Sequence, residues 1–390
     1  MMVLTTYLLF LLVLWCPPPL FLPASAMAPA APTQPLTREM QMQAVKVAAN
    51  LVAGVYKKDE AKSMIPSSLN QTIVMTACNS GYLPHLLNFD CYATRLGIKY
   101  MVFALDVNLH AVLQRKYPHI VSVSYSSKKI TGIASNFRSK HFNLITNRKE
   151  EAVLCALILG YDAVFIDVDI AMVKDPIPKL IIPRYDYVHS VNVRCSKDLG
   201  AFNYGNRQHE GNTGLYFVRS NAKSISVWKQ ALKASIKQPG LDDQTLFWNT
   251  IRDMKTPQLF FTTQCQQEHV SSSELKKVII AWKGHDSPMQ EMWLTCPLDA
   301  CSFSTGALHG RYGYSELMRT LMITNRSIYS VHANFVTGAH KKRMALERHG
   351  FWIFNDNSMN VANTQQCKQF ALHMPPDPPK GETIIKAVAK

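Results

Sequence analysis

Gly160-Tyr161-Asp162-Ala163-Val164-Phe165-Ile166-Asp167-Val168-Asp169 is an apolar run that closes on two carboxylates with one residue between them, and Lys174-Asp175-Pro176 follows. The segment 163–168 (AVFIDV) has the β-branched and aromatic content of a strand. Successive strand side chains alternate faces, but where the chain turns at the strand's end both carboxylates can converge on one point. Ligand sites of open α/β sheets lie at those carboxyl ends. Two hard oxygen ligands there suit Mg²⁺ or Mn²⁺, ions that bridge phosphate oxygens. An Asp-x-Asp triplet alone is common and fits a solvated strand end equally well.

Working outward, short apolar segments alternate with longer helical patterns. Strands are expected at 72–77 (TIVMTA), 100–105 (YMVFAL) and 119–124 (HIVSVS) before the carboxylate segment, and at 214–218 (GLYFV), 277–282 (KVIIAW) and 327–333 (SIYSVHA) after it. The clearest helices are 149–159, with Val153 and Leu157 inward, and 222–236, where Ile225, Trp228 and Leu232 share a face. This alternation argues for an α/β domain with a mainly parallel sheet. Ahead of it Met40, Ala44, Val47, Leu51 and Val55 recur at helical spacing, giving a helix that packs on the domain or forms a stem. The tail from Met374, with Pro375, Pro376, Pro378 and Pro379, reads as irregular.

Several blocks in order turn the triplet into a specific signal. Lys149 stands upstream of Gly160-Tyr161-…-Asp167-Val168-Asp169-…-Asp175-Pro176; downstream come Asn212-Thr213-Gly214-Leu215-Tyr216-Phe217-Val218-Arg219-Ser220, then Asp242-Asp243-Gln244-Thr245-Leu246-Phe247-Trp248, then His332-Ala333-Asn334-Phe335 with Gly338 and Lys341. Together, over residues 72–345, they resemble the nucleotide-diphospho-sugar transferases, family 77 of the glycosyltransferases, which have the GT-A fold. The resemblance implies a Rossmann-like, mainly parallel sheet flanked by helices in a single catalytic domain at 69–350. Residues 1–26 would be the leader, 27–68 a linker and stem helix, and 351–390 a C-terminal extension.

The resemblance also implies roles. Asp169 would ligate the metal directly, Asp167 would ligate it or contact the donor, and His332 would be a third protein ligand; as a lone residue His332 would read as a satisfied core histidine. Lys149 would serve the donor site, and Gly338 and Lys341 would approach the donor diphosphate. Lys149 and Lys341 also have bland readings, a cation in the first turn of a helix and a solvated surface lysine. Thr76 and Asp106 would line the nucleoside pocket, although Asp106 also reads as an ordinary helix N-cap. Asn212, Gly214 and Asn192 would contact substrate, and Asp243 and Gln244 would sit beside the sugar, Asp243 also fitting an N-cap for the helix that Gln244 begins. The family is expected to transfer with retention, so Asp243 is either an orienting group or a carboxylate nucleophile. Where the family often carries Ser-x-Asp, this chain has Ser190-Val191-Asn192, which keeps hydrogen bonding and loses a charge. The cofactor implied is Mn²⁺ or Mg²⁺, the donor a UDP-sugar, and the acceptor a glycan or glycoprotein hydroxyl.

The compartment is read from the N-terminus. The first charged side chain is Arg38, and the apolar run Leu4 to Trp15 ends at Pro17-Pro18-Pro19. With Ala24-Ser25-Ala26 as an A-x-A site, this is a cleaved signal peptide or an uncleaved signal anchor. Either directs the chain to the secretory pathway, the Golgi lumen being expected and secretion being the alternative if the leader is cleaved, with membrane contact only through such an anchor. Sequons at Asn70 and Asn325, and eight cysteines beyond Cys16, are compatible with an oxidising lumen. With 47% hydrophobic and 18% charged residues, the chain of 390 residues is neither disordered, collagenous nor a coiled coil. Its net charge of +15 is spread in twos and threes without a nucleic-acid motif, so nucleic acid is not the expected partner. The rival readings are a non-catalytic glycan-binding protein on the same fold, expected to have lost Asp167, Asp169, His332 or Lys341, and a metal-dependent phosphate-ester hydrolase, which needs more clustered ligands.

Overall fold

The computed structural model describes residues 38–53, 72–126, 130–135, 138–182, 185–192, 195, 210–253, 258–260, 293–308, 313–324, 326–355 and 367. The expected strand at 277–282, the proline-rich tail and both sequon asparagines lie outside them. No helix among the described residues is long and apolar enough to cross a membrane.

Among the described residues, eight strands form the main sheet. They are β1 (Thr72–Cys78), β2 (Met101–Ala104), β3 (Val121–Ser124), β4 (Asp162–Ile166), β6 (Tyr187–Val191), β7 (Gly211–Val218), β8 (Gln258–Phe260) and β9 (Trp293–Pro297), in the order β3-β2-β1-β4-β7-β6-β9-β8. All neighbours pair in parallel except β4 with β7 and β7 with β6. A second sheet of three strands, β10 (Phe303–Thr305), β11 (Ser330–His332) and β5 (Ile170–Met172), takes the order β10-β11-β5. The helices are α1 (Arg38–Val52), α2 (Leu83–Leu96), α3 (Val107–Lys116), α4 (Lys140–Ile158), α5 (Ile177–Leu180), α6 (Ala222–Lys237), α7 (Asp243–Asp253), α8 (Gly313–Thr324) and α9 (Ala339–Arg348).

Strand alternation divides the core. Val74, Val102, Val164, Ile166 and Phe217 face one layer with Leu86 and Phe89 of α2, Leu113 of α3 and Leu346 of α9. Ile73, Met75, Phe103, Phe165 and Tyr216 face the other, with Val153 and Leu157 of α4, Trp228 of α6 and Phe247 of α7. Burial on both faces explains why β1 and β4 read as continuous apolar runs. Trp228 is buried as expected, while Ile225 and Leu232 pack at the edge of the same layer.

Three sequence expectations shift. α4 starts at Lys140, capped by Ser139 Oγ accepting from the Phe142 amide at 3.1 Å, so Lys149 lies in mid-helix and not in a first turn. α1 buries Val45, Ala48, Ala49 and Val52, whereas Met40, Val47 and Leu51 are 53%, 55% and 64% exposed. The helix was legible but its inward face was not, because small alanines let that side approach the sheet more closely than the bulkier stripe would. Residues 351–354, read as the start of an extension, are buried; Asn88 Nδ2 donates to the Phe351 carbonyl at 3.1 Å and the Ile353 amide donates to Asn88 Oδ1 at 2.7 Å. Disulfides Cys91–Cys367 and Cys195–Cys301 tie distant segments together, and Cys78 and Cys155 are buried thiols.

His85 and His189 are buried, and burial lowers each to about 4. The unfolded chain takes up a proton on each near pH 6.5 and the folded chain does not. Stability is therefore full above that pH and lost as pH falls towards 4, by about 2 kcal/mol per histidine at pH 5. Denaturant unfolding at pH 7 and pH 5 checks this; His85→Gln should remove its share of the loss.

Candidate active site

β4 stops at Ile166, two residues short of the expected end, so Asp167 and Asp169 lie on the turn that follows. Three sets of backbone contacts fix that turn. The Asp167 amide donates to the Gly214 carbonyl at 2.7 Å, an extension of the antiparallel β4–β7 pairing beyond Ile166↔Leu215. β11 pairs antiparallel to β5 with His332 opposite Ile170, and the Ala333 amide donates to the Asp169 carbonyl at 3.1 Å. Asp167, Asp169 and His332 thereby each offer a ligand atom within 4.8 Å of the others. His332 Nε2 is 3.2 Å from Asp169 Oδ1 and 3.9 Å from Asp167 Oδ2.

Buried cations balance these carboxylates. Lys149 Nζ is 3.3 Å from Asp167 Oδ1, 3.0 Å from Asp243 Oδ2 and 3.3 Å from the Thr213 carbonyl. Burial alone would lower the Lys149 ammonium, but Asp167 and Asp243 outweigh it and raise its pKa. Lys342 Nζ donates to Asp169 Oδ2 at 2.6 Å. Burial would raise the Asp169 carboxyl, but Lys342 and His332 hold it well below the usual carboxylate range. For Asp167 burial wins over Lys149, and its carboxyl is raised.

The neighbouring α7 begins one residue earlier than expected, and its cap is not Asp243. Asp242 Oδ1 accepts from the Thr245 amide at 2.9 Å, which frees Asp243 to face Lys149 and to accept from Thr213 Oγ1 at 3.0 Å. Beside it runs a chain of amides. Asn212 Nδ2 donates to Asn192 Oδ1 at 3.0 Å and to Gln244 Oε1 at 3.4 Å; Asn334 Nδ2 donates to Asn192 at 3.1 Å, and Gln244 Nε2 to Glu210 at 3.2 Å. Gly214 is where this wall approaches the carboxylates. A Cβ there would lie 2.5 Å from His332 Cε1 and 2.6 Å from Asp167 Oδ2.

These groups line one cavity of about 420 Å³, within the range of small-molecule sites. Asp167, Asp169, His332, Lys149, Asp243, Gln244, Asn192, Asn212, Gly214 and Gly338 all reach it. Three residues singled out in the sequence do not. Thr76 is fully buried inside β1, and the strand end that lines the cavity is Ala77 and Cys78, followed by Asn79. Asp106 is committed elsewhere: its carboxylate accepts from the Asn108 and Leu109 amides at 3.0 Å, capping α3, and from the Ser80 amide and hydroxyl at 2.6 Å. Lys341 is exposed on α9 and its neighbour Lys342 faces inward. One residue is about 100° around a helix, so spacing from Gly338 alone does not show which lysine faces the cavity. Gly338 caps α9 with φ of 89°, a conformation that favours glycine.

Sequence reasoning passed over Lys342, Tyr82 and Arg138. Tyr82 carries the Lys342 ammonium 6.0 Å from its ring centroid, and Arg138, at φ 62°, pairs with the capping Asp242 at 3.1 Å. Only the Lys341-Lys342-Arg343 run gave any hint of the first; no motif marks the other two.

Two carboxylates and an imidazole are a chemically sound donor set for Mn²⁺ or Mg²⁺. The glycine opposite them leaves space that a side chain would fill, so the residues present fit a divalent cation.

Residues 98–346, more than half of the chain, match the model of the nucleotide-diphospho-sugar transferase family. The chain is 27% identical over 195 residues to beta-arabinofuranosyltransferase RAY1 of Arabidopsis thaliana, an alignment covering 49% of this chain and 35% of that protein. It is 29% identical over 115 residues to an uncharacterized protein of the same plant, covering 30% of this chain and 32% of the other. The alignments thus span about a third of each curated relative's length. Solved structures of glycosyltransferase GlyE from Streptococcus pneumoniae TIGR4 and of galactosyltransferase LgtC each superpose with a TM-score of 0.37, at 9% and 10% identity. They cover 74% and 71% of this chain, and 62% and 96% of their own. With its α/β sheet and the extent of the family match, the chain belongs to the nucleotide-diphospho-sugar transferase family, as its sequence blocks implied.

Proposed function

We propose that this protein is a metal-dependent glycosyltransferase that moves a sugar from a nucleotide diphosphate, a UDP-sugar, onto a hydroxyl of a glycan or glycoprotein with retention of configuration. The observation that carries the reading is the convergence of Asp167, Asp169 and His332 in the cavity that also holds Lys149, Asp243 and Gln244. Asp169, Asp167 and His332 would hold Mn²⁺ or Mg²⁺, which when bound neutralises the diphosphate leaving group. Asn192, Asn212 and Gln244 form a hydrogen-bonded wall suited to sugar hydroxyls. The domain at 69–350 would be the catalytic unit.

Asp243 suits orientation better than nucleophilic attack. Its Oδ2 already accepts from Thr213 and pairs with Lys149, contacts that stabilise the carboxylate and reduce its nucleophilicity. In a front-side displacement the bond from the anomeric carbon to the phosphate oxygen breaks and the bond to the acceptor oxygen forms on the same face. The acceptor's proton passes to the departing phosphate, so no dedicated base is needed. Disulfides such as Cys91–Cys367 and Cys195–Cys301 and the uncharged leader favour an oxidising secretory compartment, with the Golgi lumen proposed.

The test is release of UDP from a panel of UDP-sugars, in which UDP-arabinofuranose belongs because of the name of one relative. Turnover of at least one donor with Mn²⁺, lost with chelator and lowered more than about 100-fold in Asp169→Ala, is the expected outcome. Turnover insensitive to both changes would refute the metal site.

A further inference from the structure

The metal ligands face a cation that belongs to the chain itself. Lys342 Nζ is 2.6 Å from Asp169 Oδ2, and the other oxygen of that carboxylate is 3.2 Å from His332 Nε2. The Lys342 side chain is 19% exposed and lines the cavity. Lys149 is also paired with a metal-ligand candidate, but its ammonium is held by Asp167, Asp243 and the Thr213 carbonyl together. Lys342 is anchored differently: one carboxylate holds it by hydrogen bond, and the Tyr82 ring centroid lies 6.0 Å away. A compact ammonium on a four-carbon stem can change partners at little cost.

A divalent cation held by Asp169 would share a carboxylate with this ammonium, and like charges repel strongly in a buried site. That repulsion favours release of Lys342 from Asp169 when the metal enters. The cavity wall beside it includes Thr337 and Gly338, the residues that open α9, and the N-terminus of a helix attracts anions. An anion received there gives the displaced ammonium its new partner.

We propose that Lys342 is a built-in counter-ion that occupies the metal ligands until the donor arrives and then moves to the diphosphate. Metal and nucleotide consequently bind as a linked pair, with the metal alone bound weakly. The inference rests on the metal-dependent donor site proposed above and assigns Lys342 a donor-binding role there.

The experiment is calorimetric titration of Mn²⁺ into the full-length chain, with and without UDP, for the wild type, Lys342→Met and Lys342→Arg. In the wild type UDP should tighten Mn²⁺ binding at least ten-fold. In Lys342→Met, Mn²⁺ alone should bind at least ten-fold tighter than in the wild type, and the enhancement by UDP should shrink by a similar factor. Lys342→Arg, which keeps the charge, should behave as the wild type. Lys342→Gln replaces Lys342→Met if thermal melting shows the latter unfolded. A wild type that binds Mn²⁺ with UDP, beside a folded Lys342→Met whose affinity for Mn²⁺ alone is unchanged or weaker, overturns the counter-ion role and leaves the donor site standing. A wild type that binds no Mn²⁺ even with UDP overturns both.

Discussion

Replacing Lys149 with methionine is expected to destabilise the fold by about 3–5 kcal/mol, the usual cost of leaving a buried charge without its partner. Lys149 lies between Asp167 and Asp243 with its side chain 8% exposed, and both carboxylates face it at 3.0–3.3 Å. Methionine fills similar space and keeps the packing on Phe165, whose ring centroid is 5.0 Å from the ammonium. What is lost is the charge. Burial already raises the Asp167 carboxyl against the pull of Lys149, so without the lysine Asp167 should take up a proton and bind metal poorly. Glu150, next along the helix, does not share the load: burial, and then Asp243, raise its own carboxyl. Donor turnover should fall more than about 100-fold. Urea unfolding together with UDP release checks both parts, and a variant with wild-type stability would show that Lys149 does not neutralise the pair.

Gly214→Ala is the second large effect. The added Cβ would meet His332 Cε1 at 2.5 Å, Asp167 Oδ2 at 2.6 Å and Asn212 Oδ1 at 2.8 Å. All three are side-chain atoms in hydrogen-bonded or ion-paired positions, so one or more must move by roughly 1 Å, a displacement that can reduce catalysis about 100-fold. Overpacking a buried strand costs about 1–3 kcal/mol, which leaves the protein folded. The expected result is a modest drop in melting temperature with loss of metal-dependent UDP binding. Wild-type binding by this variant would place the metal away from Gly214.

Much of this arrangement was legible from sequence, for local reasons. β1, β4 and α6 carry apolar patterns that buried layers on both faces of the sheet demand, and the carboxylates after β4 stand where such sheets place ligands. What escaped depends on tertiary contacts. Asp242 and Asp243 are adjacent and chemically equivalent, and only the start of α7 decides which one caps the helix. Lys341 and Lys342 differ by one helical step, and the packing of α9 turns the second inward. α1 offers two apolar stripes, and spacing cannot show that the alanine-rich one meets the sheet. Asp106 was open between cap and ligand until its carboxylate was found engaged by α3 and Ser80. Tyr82 ends a short 3-10 turn that leads into α2 and Arg138 lies in the connection before α4, and no apolar periodicity marks either.

A nucleoside diphosphate is expected to bind through a divalent cation held by Asp167, Asp169 and His332. Calorimetric titration of UDP into the protein, with Mn²⁺ and again with chelator, tests it most directly when Asp169→Asn is run alongside. The expected result is binding that requires Mn²⁺ and disappears in the variant while the variant's melting curve stays cooperative. UDP binding of equal strength with chelator, or in Asp169→Asn, would contradict it.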